Sequence, residues 1–297
     1  RTCKIFFLLA AFWLFYLAAD AATYYSRQSG AWNSRFTWSI SGHTGGAAAS
    51  FPAAGDIVYI GNHTVTVTAN TSITQVFFNR DYQPGNLVIN SGITLTVSGS
   101  VTVVSDDNAN TSHTLSGAGT LNCSSLNVGT NIDPDRNQTT SFTTDLYSLN
   151  ISGNVLIYSN RAGGWWTSYY NNSSIVINSG NVRVGGLIET DNENSNNTSS
   201  FSLGNGSPYL FVGGATSFDP DATGTSTIIL NGAGATVDYF RSGIQTVLNT
   251  SYTNLTLSGS GVKTIPAGVS VSGMLSMEGT ATVSGSAPSY GTASAIR

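Results

Sequence analysis

The sequence predicts an all-β protein whose chain turns repeatedly in one sense, coil upon coil, to build a single-stranded parallel β-helix. Three observations carry that expectation. In residues 86–103 apolar side chains alternate with polar ones, with Leu87, Ile89, Ile93, Leu95 and Val97 marking one face; strict alternation belongs to a strand with one buried side. The strands there are broken by Asn90-Ser91-Gly92 and Ser98-Gly99-Ser100, which is turn chemistry. Phrases then recur: Val88-Ile89-Asn90-Ser91-Gly92 returns as Val176-Ile177-Asn178-Ser179-Gly180, and Ser152-Gly153-Asn154-Val155 as Ser179-Gly180-Asn181-Val182. A hairpin meander can also be written in short alternating strands. The irregular spacing of the repeats instead fits stacked turns with variable insertions. This is an architecture, and no function follows from it alone.

Composition narrows the setting. Charged residues make up 9% of the chain, against about 25% in an ordinary soluble domain. Solubility therefore rests on Ser, Thr and Asn, which suit strands and turns and make poor helix interiors, and an extracellular β-protein is expected. The net charge is −4 and the only lysines are Lys4 and Lys263, so the clustered cations that nucleic acid requires are absent.

Taken in order, the chain opens with Arg1 and Lys4, an apolar run from Ile5 to Ala19, and Ala19-Asp20-Ala21. That reads as a signal-peptide helix over residues 1–21; the run is shorter than the roughly 20 apolar residues of a membrane span. No membrane span is expected after cleavage. Residues 22–56 are aromatic-rich, and Trp32, Phe36 and Trp38 are expected to cap the open end of the core, which would otherwise template aggregation. The β-helix is expected over residues 57–285. Its polar insertions are expected as loops at residues 105–113, 131–145, 159–174 and 189–200. Residues 286–297 read as a linker or the start of a following repeat, with the chain a monomeric segment of a longer protein.

The early Trp pair, Phe51-Pro52-Ala53-Ala54-Gly55-Asp56, the apolar run Ile57 to Ile60 and Asn62-His63-Thr64-Val65-Thr66-Val67 together resemble the opening of G8-like modules in large secreted Bacteroidota surface proteins. Tyr252-Thr253-Asn254-Leu255-Thr256-Leu257-Ser258-Gly259, followed by Val262-Lys263-Thr264-Ile265, resembles a repeat frequent in the same proteins. The resemblance implies a right-handed coil and a surface location, and brings no catalytic residues.

Candidate chemistry is sparse. Asp133-Pro134-Asp135 and Asp219-Pro220-Asp221 pair acids in loops, and Glu189-Thr190-Asp191-Asn192-Glu193 adds a third cluster. Such oxygens can hold Ca²⁺, which takes six to eight oxygen ligands, although neither pair continues into a full calcium loop. Without calcium they are solvated turn residues. A polysaccharide-cleaving β-helix would need carboxylates grouped on one face, and the sequence shows no alignment of acids between neighbouring turns. No enzyme is expected. His43, His63 and His113 stand apart, without metal-ligand spacing. Cys123 is expected in the core as a small apolar residue. The strongest binding candidate is the aromatic platform of Trp165, Trp166, Tyr169 and Tyr170, in a loop rich in glycine and asparagine, facing glycans or another surface protein.

Overall fold

The structure is a computed structural model that describes residues 21–78, 84–104, 110–129, 137–162, 169–292 and 294–297. The expected signal peptide, apart from Ala21, lies outside the described residues. The fold is all-β: apart from one 3-10 turn, Arg35–Thr37, the regular elements among the described residues are strands. No helix there is long and apolar enough to cross a membrane.

Successive passes of the chain lay down strands in the order A, B, C, and each strand pairs in parallel with its counterpart one pass later. Ladder A takes Thr23–Ser26, Ile57–Ile60 and Gln75–Phe78, the ends of Thr94–Val103 and Thr111–Val128, then Val155–Ala162, Ile188–Asn192 and Phe218–Pro220. Ladder B takes Gly30–Ala31, Thr64–Val67 and Asn86–Ile89, the starts of Thr111–Val128 and Gln138–Ile151, then Tyr169–Ile177, Thr198–Leu203 and Thr225–Ile229. Ladder C runs from Thr71–Ile73 through Asn181–Val184, Tyr209–Val212 and Thr236–Tyr239 to Asn254–Leu257 and Met274–Met277.

Alternation decides what faces inward. Leu87, Ile89, Leu95, Val97, Val101 and Val103 are all buried, and Ile93 at the turn is half-buried against them. The two Val-Ile-Asn-Ser-Gly phrases sit at the corner between B and C, where Gly92 and Gly180 take φ of +72° and +82°; Ser152-Gly153-Asn154 instead turns from C to A. A Cβ at Gly180 would lie 1.9 Å from the Leu146 carbonyl oxygen of the preceding turn. Glycine is needed there both for its backbone angle and for the close approach.

The expected loops are shorter than their polarity suggested. Much of residues 111–113, 138–145, 171–174 and 189–192 is strand. Thr111, Thr140, Ser173 and Ser199 stack in register along ladder B and are buried. Asn171 accepts from Thr140, Asn197 donates to the Asn160 carbonyl, and Ser199 donates to Asn192. This corner of the interior is filled by small polar side chains, several bonded to one another while Thr111 Oγ1 and Asn197 Oδ1 are buried without a hydrogen-bond partner among the described residues, so polarity there does not mean exposure.

The entry segment corrects one expectation. Trp32 and Trp38 are buried edge-to-face at 5.0 Å, and each indole N–H donates to a carbonyl, of Pro52 and Trp32 respectively. Trp38–Ser39 pairs antiparallel with Thr23–Ser26. Phe36 does not join them: it is 52% exposed, with the Arg35 guanidinium 4.4 Å from its ring centre.

In the C-terminal motif each recurring residue has a packing role. Tyr252 bonds Tyr239 and the Leu248 carbonyl, Asn254 accepts from the Met274 N–H, and Ser258 donates to Asp238. Lys263 is buried, donating to the Arg241 carbonyl at 2.6 Å and to the Gln245 side chain at 3.0 Å. Burial lowers its pKa, opposed in part by Asp238.

Gly180→Ala is expected to cost about 1–3 kcal/mol or more in denaturant unfolding. His113 is buried, its Nδ1 accepting from the Gly85 N–H, and burial holds its pKa down to about 4 from 6.5. Between those values the unfolded ring takes a proton that the folded ring refuses. Stability is therefore expected to fall as pH drops across that window, by up to about 3 kcal/mol. His113→Leu should remove that part of the pH dependence.

Candidate functional site

The chain passes from ladder A to ladder B at one corner, and segments 79–83, 105–109, 130–136 and 163–168, which fall in that connection, lie outside the described residues. The last of these joins two antiparallel arms, in which Asn160 faces Asn171, Arg161 faces Tyr170 and Ala162 faces Tyr169. The next pass supports the arms. Glu193 accepts from the Arg161 N–H at 2.8 Å, and the Tyr170 hydroxyl accepts from Asn196 at 3.0 Å. Trp165 and Trp166, like Asp133 and Asp135, lie outside the described residues. Tyr169 and Tyr170 are adjacent in the returning strand and therefore point to opposite sides of it, so they do not share one stacking face.

Further along ladder A the structure brings together acids that the sequence left unaligned. Glu189 pairs in register with Asp219, and these two border a recess of about 360 Å³ with Asp191 and Asp221. This overturns the expectation that no acids match between neighbouring turns. Burial, then Asp219 and Asp191, push the Glu189 carboxyl above its ordinary value; burial, then Asp221 and Glu193, do the same to Asp191. Asp221 moves the other way because its oxygens accept from the Thr223 and Asn192 N–H groups, each at 2.9 Å. It is tied to the backbone as a turn cap. Among the described residues no three His, Cys, Asp or Glu side chains converge as a metal site.

The histidines are less scattered than the sequence implied. His63 shares a 3.1 Å hydrogen bond with Ser26, and His43 bonds the Ser26 carbonyl at 2.6 Å. Ser26 is fully buried and also accepts from the Gly61 N–H, which gives the group a packing role. Cys123 is buried and free, and burial pushes its thiol up to about 12. At neutral pH it is a protonated core residue.

A groove of about 640 Å³ runs along the outward side of ladder C. Its floor passes from Thr96 through Asn122 and Asn150 to Arg183, each in register with the next. Arg183 lies over the Phe240 ring, 3.7 Å from its centre, and Arg241 stands beside it, donating to the Gly213 carbonyl at 3.2 Å. The outward position of Arg183 is readable from alternation; its meeting with Phe240, far along the chain, is not.

Compared with known proteins, the chain matches no family model, no curated protein and no solved structure.

The acid recess yields a test of its own. Glu189→Gln removes one member of a mutually repelling set, so a small gain is expected at pH 7, about 0.5 kcal/mol after solvent screening. The gain should vanish near pH 3, where the carboxyls are protonated; thermal melts at the two pH values measure it.

Proposed function

We propose that this chain is a right-handed parallel β-helix acting as a non-catalytic structural or adhesive module of an exported, cell-surface protein of the Bacteroidota type. The observation that carries the reading is the corner shared by ladders A and B. Pass after pass, the longer connections of the chain fall between the same two ladders, so a regular stack would carry them along one edge. Loops on a rigid scaffold are where binding residues concentrate. The signal-like start of the chain supports export, and the low charge supports an extracellular setting. The partners proposed are glycans or another surface protein, met through Trp165, Trp166, Tyr169 and Tyr170. Calcium is a proposed ligand of the acidic loops at Asp133 and Asp135, and of Asp219 and Asp221 where Asp221 can be released from its backbone bonds.

A polysaccharide-cleaving reading has one observation in its favour, the in-register pair Glu189 and Asp219. Against it, Asp221 is committed to backbone N–H groups.

The test is a binding screen of the intact chain on glycan and surface-protein arrays, beside a Trp165→Ala/Trp166→Ala variant. The expected result is binding lost at least about tenfold with an unchanged melting temperature. Equal binding by the two forms would contradict the platform. Release of new reducing ends from a polysaccharide, abolished by Glu189→Gln, would contradict the non-catalytic reading.

A further inference from the structure

We infer that the groove along ladder C is a binding site for an extended anionic glycan, whose carboxylates are taken by Arg183 and Arg241. This goes beyond the scaffold reading and does not depend on where the protein resides.

Charge singles out this groove. The chain carries only 11 lysines and arginines against 15 acids, yet two arginines border one groove. Among the described residues neither has a carboxylate within ion-pair distance, and Asp238, the acid that acts electrostatically on this region, has its Oδ1 engaged by Ser258 at 2.7 Å. Two cations in an acidic chain, beside a groove and left without an acidic partner among the described residues, favour an anionic ligand.

Both cations are held in place. Arg183 is exposed, but its guanidinium lies on the Phe240 ring. That contact fixes the plane and leaves the N–H edges open to a planar carboxylate. Phe240 in turn needs the bare Cα of Gly213, since a Cβ there would lie 2.8 Å from its ring. Arg241 is anchored from behind: its carbonyl accepts from buried Lys263, and its N–H donates to buried Gln245. Gln245 is itself pinned to the Val212 and Gly214 carbonyls. The buried lysine thus serves the groove as well as the core.

The remaining lining selects the polymer class. Thr96, Ser98, Asn122, Ser124, Asn150 and Ser152 present hydroxyl and amide groups pass after pass, spaced about 4.8 Å apart along the stack. Neutral groups that donate and accept suit the hydroxyls of a sugar chain running along the stack axis. Nucleic acid is disfavoured because two cations release too few counterions.

The experiment measures binding of the full chain to polygalacturonate, with dextran, dextran sulfate and polyglutamate as the comparison probes. The inference expects affinity for polygalacturonate that weakens with added salt and falls about tenfold or more in Arg183→Gln, with the melting temperature unchanged. Arg241→Gln is expected to behave alike; if that variant does not fold, Arg183→Gln alone decides. No binding to polygalacturonate, equal binding by Arg183→Gln, or equal binding to dextran overturns the proposal. Binding to dextran sulfate alone overturns the carboxylate assignment, and preference for polyglutamate points to an acidic peptide instead and overturns it too.

Discussion

Parallel, in-register pairing is the constraint on which the rest of this molecule depends. It places each outward or inward side chain directly over its counterpart one pass later, about 4.8 Å away. A position is therefore a column. Columns of like charge are costly, whereas Ser, Thr and Asn each donate and accept, and so can stack on copies of themselves. Asn150 donates to Asn122, Ser174 to Ser141, and Asn172 accepts from the Thr198 N–H. Aromatic rings stack too: Tyr25, Tyr59 and Phe77 lie 5.0 and 4.7 Å apart with nearly parallel planes. The 9% charged composition is what such columns require. Where the rule is broken, at Glu189 over Asp219, burial first and the neighbouring Asp219 second push the Glu189 carboxyl upward.

That constraint also explains what could be read from the sequence. The alternation around Leu87 and Leu95 and the Asn-Ser-Gly corners were legible because an apolar column and a left-handed glycine leave local marks. The buried run through Thr140, Ser173 and Ser199 was not, because residues that satisfy each other across passes look like loop residues within one pass. Phe36 was misread for a related reason: aromatic composition does not say which ring reaches the core, and Trp32 with Trp38 fill it first. At the candidate sites, the acids and aromatics could be named, but the pairing of Glu189 with Asp219 and of Arg183 with Phe240 depends on the register of distant passes. Such register cannot be counted when the insertions vary in length.

The proposed contacts divide between an edge and a face. The connection between ladders A and B holds the proposed aromatic platform; the outward face of ladder C has a groove floored by the strands themselves. A site on strands is held more rigidly than one on loops, and here it is reinforced by a buried Lys263 and Gln245 that fix Arg241 from inside. The C-terminal motif, which on sequence looks like a repeat signature, thereby joins core packing to surface chemistry.

The most direct test of the central claim is a methyl NOE spectrum of the labelled protein. In-register stacking predicts strong contacts from Leu121 to Leu149, Leu149 to Val182 and Val182 to Leu210, which are successive partners along ladder C. Absence of these contacts, with Leu121 and Leu149 instead meeting antiparallel neighbours from adjoining hairpins, would contradict it.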